Sequence, residues 1–241
     1  MRGNRLALLA LCVLWALPGT AQDPMIESLV EAVSLDRMYT EVDALVAFGT
    51  RRSDQPEGFQ AQDWLYARFE DLGFSPPQLY LHDFDNNADN VVAVLPGLGA
   101  PDEIYVIGAH YDSVNWAGAT LPAPGADDNA SGTAALIEIA RVVRESGIGF
   151  DATIQFVAFA SEELGVVGSA AFADDAIAQG QAPRNAIVMD VMGYLAPGST
   201  RNIAFGTSEE IPGTTELIVA ARTAIETYLP GVLWEYALTC T

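Results

Sequence analysis

Lysine is absent from this sequence, so all 11 basic residues are arginines, set against 32 acidic ones for a net charge of −21. A chain this acidic repels phosphate backbones and anionic bilayers, which argues against nucleic acid and charged membrane surfaces as partners. Histidine and cysteine are nearly as scarce, with two of each. With His82 and His110 alone, and with neither a Gly-x-Ser-x-Gly elbow nor a His-Glu-x-x-His helix, serine-hydrolase and zincin chemistry lack their parts. Pro96-Gly97-Leu98-Gly99 falls short of a dinucleotide fingerprint and reads as a turn between strands. Internal repeats and low-complexity tracts are missing too, so 241 residues, half of them apolar, are expected to form one domain around one core.

Long apolar runs are limited to one, Leu6 to Leu17, preceded by Arg2 and Arg5 and followed by a Pro-Gly turn and a small-residue site ending at Ala21. It is shorter than the ~20 residues of a membrane span and reads as a secretory signal peptide over residues 1–21. The mature chain, residues 22–241, is then expected to be secreted or periplasmic, with no integral membrane segment. Cleavage removes two arginines and no acid, leaving 9 basic against 32 acidic residues and a net charge of −23. Of the two cysteines, Cys12 goes with the leader and Cys240 is left without a partner.

What is present alternates. After a helix with Leu35, Met38, Val42, Leu45 and Val46 on one face, and another over Phe59 to Leu72 ended by Gly73, strand-like and helix-like segments follow in turn. Strands are predicted at Gln78–His82, Asn90–Leu95, Ile104–Ala109, Thr153–Ala158, Ala186–Met189 and Asn202–Phe205, and further helices at Ser131–Glu145, Val167–Ala178 and Thr214–Tyr228. Ile104-Tyr-Val-Ile-Gly-Ala109 and Thr153-Ile-Gln-Phe-Val-Ala-Phe-Ala160 do not alternate, so both faces of these strands should be covered by helices. The fold class is therefore α/β: a three-layer α/β/α sandwich around a mixed, mostly parallel central sheet.

The unusual residues stand where strands end. His110 and Asp112 follow one apolar strand, Glu162 and Glu163 another, and Asp190 a third, while Asp127 and Asp128 open a helix. Ligands of open α/β sheets gather at that edge. Each feature has a structural explanation when taken singly: the Asp pair as a helix cap, the Glu pair as a helix start, the histidine as an ordinary core residue. Asp190 resists one, because a carboxylate flanked by Met189 and Val191 in a central strand needs a partner. Together, so many like charges at one edge call for a cation between them. An imidazole among carboxylates suits zinc, manganese or cobalt, and two such ions would activate a water and polarise a carbonyl.

The segments Gly-Ala-His110-Tyr-Asp112-Ser-Val, Gly-Ala-Asp127-Asp128-Asn-Ala-Ser-Gly, Phe-Ala-Ser-Glu162-Glu163-Leu-Gly-Val-Val-Gly-Ser and Val-Met-Asp190-Val-Met-Gly-Tyr, in that order, resemble the M28 family of co-catalytic metallopeptidases. The resemblance implies the phosphorylase/hydrolase-like fold of zinc exopeptidases, two divalent ions, and removal of N-terminal residues from peptide substrates through a metal-activated water. It makes His110 and Asp190 ligands of one ion, Glu163 of the other, and Asp127 the bridge, with a cis peptide between Asp127 and Asp128. Asp112 would orient His110, and Glu162 would be the general base. The family also draws a histidine ligand from a loop near its C-terminus. None follows His110, so the resemblance implies a chain incomplete at that end, with Cys240 as half of a disulfide seen in some secreted members. A non-catalytic domain of the same fold and a single-zinc acyltransferase like the glutaminyl cyclases are the alternatives.

Overall fold

A computed structural model describes residues 22–198, 200, 202–207 and 213–238. Residues 1–21, expected to be a signal peptide, and both cysteines lie outside the described residues. In chain order the elements are α1 (Pro24–Glu31), α2 (Leu35–Val46), α3 (Pro56–Asp71), β1 (Leu79–His82), β2 (Asn90–Leu95), β3 (Ala100–His110), α4 (Gly132–Ser146), β4 (Ala152–Phe159), α5 (Val167–Ala178), β5 (Asn185–Val188), β6 (Asn202–Thr207), α6 (Thr214–Tyr228) and β7 (Leu233–Leu238). They fall into two compact units, residues 36–193 and the described residues on either side of that span.

In the larger unit a five-stranded sheet runs β1-β2-β4-β3-β5. β4 and β5 flank β3 in parallel, whereas β2 pairs antiparallel with both β1 and β4. The sheet is mixed and mostly parallel as expected: four of its five strands point the same way, and β2 alone is reversed. Connection length explains this. The loops before and after β2 are too short for a crossover, so β2 runs against its neighbours, whereas α4 and α5 supply the crossovers that parallel strands need. The turn at residues 96–99 joins β2 to β3, yet β4 lies between them.

From Thr153 to Phe159 every residue of β4 is buried, so helices cover both faces of the sheet. α3 packs on β1 and β2, and α4 on β3 and β4. α4 is buried from Gly132 to Val143 and carries an internal charge pair there, Arg141 Nε donating to Glu138 at 2.8 Å. α3 begins three residues earlier than its apolar pattern predicts, because Pro56 fits the first turn, where its missing N–H costs nothing. Gly73, at φ +84°, ends that helix as anticipated.

The smaller unit pairs β6 and β7 in parallel, Ile203 opposite Trp234. The Asp23 side chain caps α1 by accepting the Met25 N–H at 2.8 Å, and the Tyr228 hydroxyl of α6 accepts the Asp23 N–H at 2.9 Å. No helix among the described residues is long and apolar enough to cross a membrane.

Candidate metal centre

Because β3, β4 and β5 run parallel and adjacent, their carboxyl ends meet on one edge, and each hands over to polar residues there. His110 is the last residue of β3, Ser161–Glu163 follow β4, and Asp190 stands two residues beyond β5. The Ala126–Ser131 segment that turns into α4 adds a fourth contribution, with Asp128 and Asn129 outside the helical basin. His110 Nε2 lies 3.3 Å from Asp128 Oδ1, 3.4 Å from Asp190 Oδ1 and 4.0 Å from Glu162 Oε2, and its Nδ1 lies 3.4 Å from Asp112 Oδ1.

Both ring nitrogens of His110 are buried and neither has a hydrogen-bond partner among the described residues. An unsatisfied buried nitrogen of this kind costs about 1–3 kcal/mol, and here it faces carboxylate oxygens. One donor atom each from His110, Asp128 and Asp190 lie within 4.8 Å of one another. Imidazole nitrogen with two carboxylate oxygens is a donor set for zinc or a similar divalent ion. The electrostatics make the same demand. Burial alone lowers the His110 imidazole, but Asp112 and Asp190 outweigh it and push it up to about 10. Burial, with Asp128 and Asp112 nearby, pushes the Glu163 carboxyl up to about 7. Glu162 and Asp128 are raised as well, chiefly by burial, while the His110 contact holds Asp190 below its usual value. The site thus draws positive charge to itself, as protons or as a cation.

Two details differ from the sequence reading. The cis peptide joins Asp128 to Asn129, one bond later than expected. Correspondingly, Asp128 and not Asp127 faces His110. Asp127 Oδ1 accepts the Gly193 N–H at 2.7 Å, and its carbonyl accepts the Ser131 hydroxyl at 2.7 Å, so this carboxylate braces the turn after Asp190. Between two adjacent aspartates sequence offers no means of choosing. Asp190 follows its strand as predicted, two residues past the end of β5, but that strand is at the edge of the five-stranded sheet and not in its centre, and the side chain is 52% exposed. Asn129, which opens a glycosylation sequon, is buried and engaged at both ends of its carboxamide: it donates to Met189 O and accepts the Gly132 N–H, both at 2.9 Å.

The scaffold of the site was less legible. Asp112, fully buried, reaches beyond His110 to accept the N–H groups of Glu162 and Glu163, each at 3.1 Å. Arg51, in the loop between α2 and α3, is the largest fully buried side chain among the described residues. Its guanidinium donates to the carbonyls of Tyr111 (2.7 Å), Leu45 (3.1 Å), Pro124 (2.7 Å) and Gly125 (3.0 Å), tying the end of β3 to the segment that precedes the aspartates. Burial pulls Arg51 down to about 10 against the attraction of Asp112, Asp128 and Glu163, so at neutral pH it remains a cation under the acidic cluster. Ser53, two residues on, shares a 2.7 Å hydroxyl contact with Ser161. An open cleft of about 600 Å³ borders Glu162 and Glu163, walled by Trp116, Leu164, Gly165 and Val166.

Known proteins resemble this chain in sequence and in fold. Leucine aminopeptidase 1 of Coccidioides posadasii is 31% identical over 228 residues, which cover 88% of this chain and 58% of that protein. This chain therefore spans less than two thirds of the relative it matches. The LapA aminopeptidase of Legionella pneumophila superposes with a TM-score of 0.75 at 23% identity, covering 92% of this chain and 60% of its own. A glutaminyl cyclase of Bacteroides thetaiotaomicron gives 0.65 at 21% identity, covering 86% and 77%. At such identities the two structures speak for the α/β fold alone. The defining sequence pattern of peptidase family M28 matches residues 90–230, more than half of the sequence, and the chain belongs to that family.

Proposed function

We propose that the protein is an exported, metal-dependent exopeptidase that removes N-terminal residues from peptides, with Glu162 as its general base. The observation that carries this reading is the meeting of His110, Asp128 and Asp190 donor atoms within 4.8 Å, with Glu162 beside them. His110, Asp128 and Asp190 would hold one divalent ion, and Glu163 with Asp128 would serve a second. When bound, such ions lower the pKa of water toward neutrality and polarise the substrate carbonyl.

The rest is the work of the chain's own side chains. Glu162, whose burial raises its proton affinity, takes a proton from the attacking water and passes it to the leaving amine. Asp112 holds the Glu162 and Glu163 amides and so fixes where that proton is accepted. The carboxylates left facing the cleft attract the substrate's α-ammonium group, which restricts cleavage to the first peptide bond. Trp116, Leu164 and Val166 offer apolar surface beside Glu162, and the name of the Coccidioides relative makes N-terminal leucine the first substrate to try. The leader-like first 21 residues support export.

The test is mass spectrometry of paired peptides that begin with leucine or with glutamine, incubated with the full chain and zinc. The proposal expects free leucine and free glutamine, and neither after chelation. Loss of ammonia from the glutamine peptide, leaving a pyroglutamyl product, would transfer the site to acyl transfer. Release that is indifferent to chelator would overturn the metal-dependent reading.

A further inference from the structure

His82 is the one histidine outside the metal centre, and it faces Asn90 across the β1–β2 pair. The Asn90 side chain is fully buried with every contact accounted for. Its Oδ1 accepts the Ala160 N–H at 2.8 Å, and its Nδ2 donates to Gly168 O at 2.8 Å and meets His82 Nδ1 at 3.0 Å. These contacts fix the protons. Ala160 N–H can only donate, so its partner is the amide oxygen. The amide nitrogen can only donate, so His82 Nδ1 accepts, and the ring's other nitrogen carries hydrogen and donates to Asp175 Oδ2 at 3.0 Å. Phe84 and Phe172 enclose the ring at centroid distances of 6.2 and 5.4 Å.

Ala160 and Gly168 bracket the loop that carries Glu162 and Glu163. One carboxamide therefore ties both ends of that loop, and the Val167 N–H closes it from within on Ser161 O at 3.0 Å. The loop is strained: Ser161 (φ 56°) and Val166 (φ 62°) occupy the left-handed region, where a β-branched residue is a genuine outlier. The fit at its ends is close, since a Cβ on Gly168 would lie 2.2 Å from Ala160 O and 2.4 Å from Asn90 Oδ1. Strain of this kind persists where surrounding contacts over-determine it.

We infer that Asn90, locked by His82 and Asp175, is a positioning residue that clamps the loop ends and so sets Glu162 and Glu163 against the metal site. The inference rests on the proposed role of Glu162 for its effect on turnover, but the clamp itself is independent of that role. It predicts a split by chemistry. His82→Phe keeps a ring between Phe84 and Phe172 and removes the acceptor for Asn90; His82→Gln keeps an acceptor and a donor and removes the ring.

The experiment compares the native chain, His82→Phe, His82→Gln and Asn90→Leu by amide hydrogen exchange at Ala160, Glu162, Glu163 and Val167, and by kcat and KM on an aminoacyl anilide with zinc. For His82→Phe the expected result is faster exchange at these amides and a kcat lower by about ten-fold or more, as small displacements of reacting groups cause, with KM within about two-fold. His82→Gln should recover most of both. Unchanged exchange in His82→Phe, or equal damage in His82→Phe and His82→Gln, overturns the clamp, and the His82 variants decide it if Asn90→Leu does not fold. If the native chain hydrolyses nothing, the proposed function fails, while exchange alone still decides the clamp.

Discussion

Asp112 and Glu163 are joined through the backbone: Asp112 Oδ2 accepts the Glu163 N–H at 3.1 Å, while its other oxygen takes the Glu162 N–H and stands 3.4 Å from His110 Nδ1. One buried carboxylate thus sets an imidazole from β3 and two glutamates from the loop after β4. Partners of this kind, behind a metal ligand, usually matter by about 10- to 100-fold in metal affinity or activity.

Replacing Asp112 by alanine should exceed that range, because it frees two amides as well as the imidazole. Zinc affinity measured by competition with a chromophoric chelator should fall at least about 100-fold. Stability to urea should also drop by about 2–4 kcal/mol for the unsatisfied buried groups. A variant that keeps native zinc affinity would show that Asp112 is only a packing residue.

The two adjacent aspartates should separate cleanly. Asp128→Ala removes a donor that faces His110 and should abolish tight zinc binding. Asp127→Ala removes a brace on Gly193 and should stay within the roughly 10- to 100-fold of a supporting residue. In the same titrations the native chain should hold one ion tightly at His110, Asp128 and Asp190 and a second weakly at Glu163 with the shared Asp128. Equal losses in the two variants, or two ions bound with equal strength, would count against this assignment.

How far the sequence disclosed this arrangement depended on the physics of each part. Apolar strands without alternation signalled a covered sheet, and their polar successors marked its carboxyl edge, so His110, Asp112, Glu162, Glu163 and Asp190 could be named beforehand. The choice of Asp128 over Asp127 could not be made, since it turns on backbone conformation at one peptide and not on residue type. Arg51 and Asn90 stayed hidden because their partners are main-chain carbonyls and amides from distant segments, which leave no spacing pattern. β7 was missed as well; Leu-Trp-Glu-Tyr-Ala-Leu is short and is recognised by its pairing with β6.

Acidity should stabilise the metal-free protein. Glu163 is pushed up from 4.5 to about 7, and His110 from 6.5 to about 10, so both hold their protons more tightly in the folded chain than in the unfolded one. That contribution is whole below the unfolded values and is lost as pH rises through about 7 and then about 10. Glu162 and Asp128 act in the same direction, while Asp190 opposes them only at strongly acidic pH. Urea unfolding of chelated protein should show stability declining from about pH 5 to about pH 8, with added zinc flattening the decline. A chelated protein that gains stability over that range would contradict this electrostatic account.

Arg51 should prove structural in a way no lysine can reproduce. Its fork reaches four carbonyls from three segments, and a lysine lacks that planar geometry. Arg51→Met and Arg51→Lys should each cost about 3 kcal/mol or more in urea unfolding, and Arg51→Lys should fail to restore zinc binding. Native-like behaviour of the lysine variant would mean that charge alone suffices beneath the acidic cluster.

The central claim is that a cation site built on His110, Asp128 and Asp190 works through the carboxylate of Glu162. Its most direct measurement is zinc-supported hydrolysis of a leucyl anilide by the native chain beside Glu162→Gln, at matched metal content. The account predicts measurable, chelator-sensitive turnover in the native chain and a loss on the order of 10²- to 10⁴-fold in the variant, the usual share of a general base. Turnover that survives Glu162→Gln undiminished would contradict it.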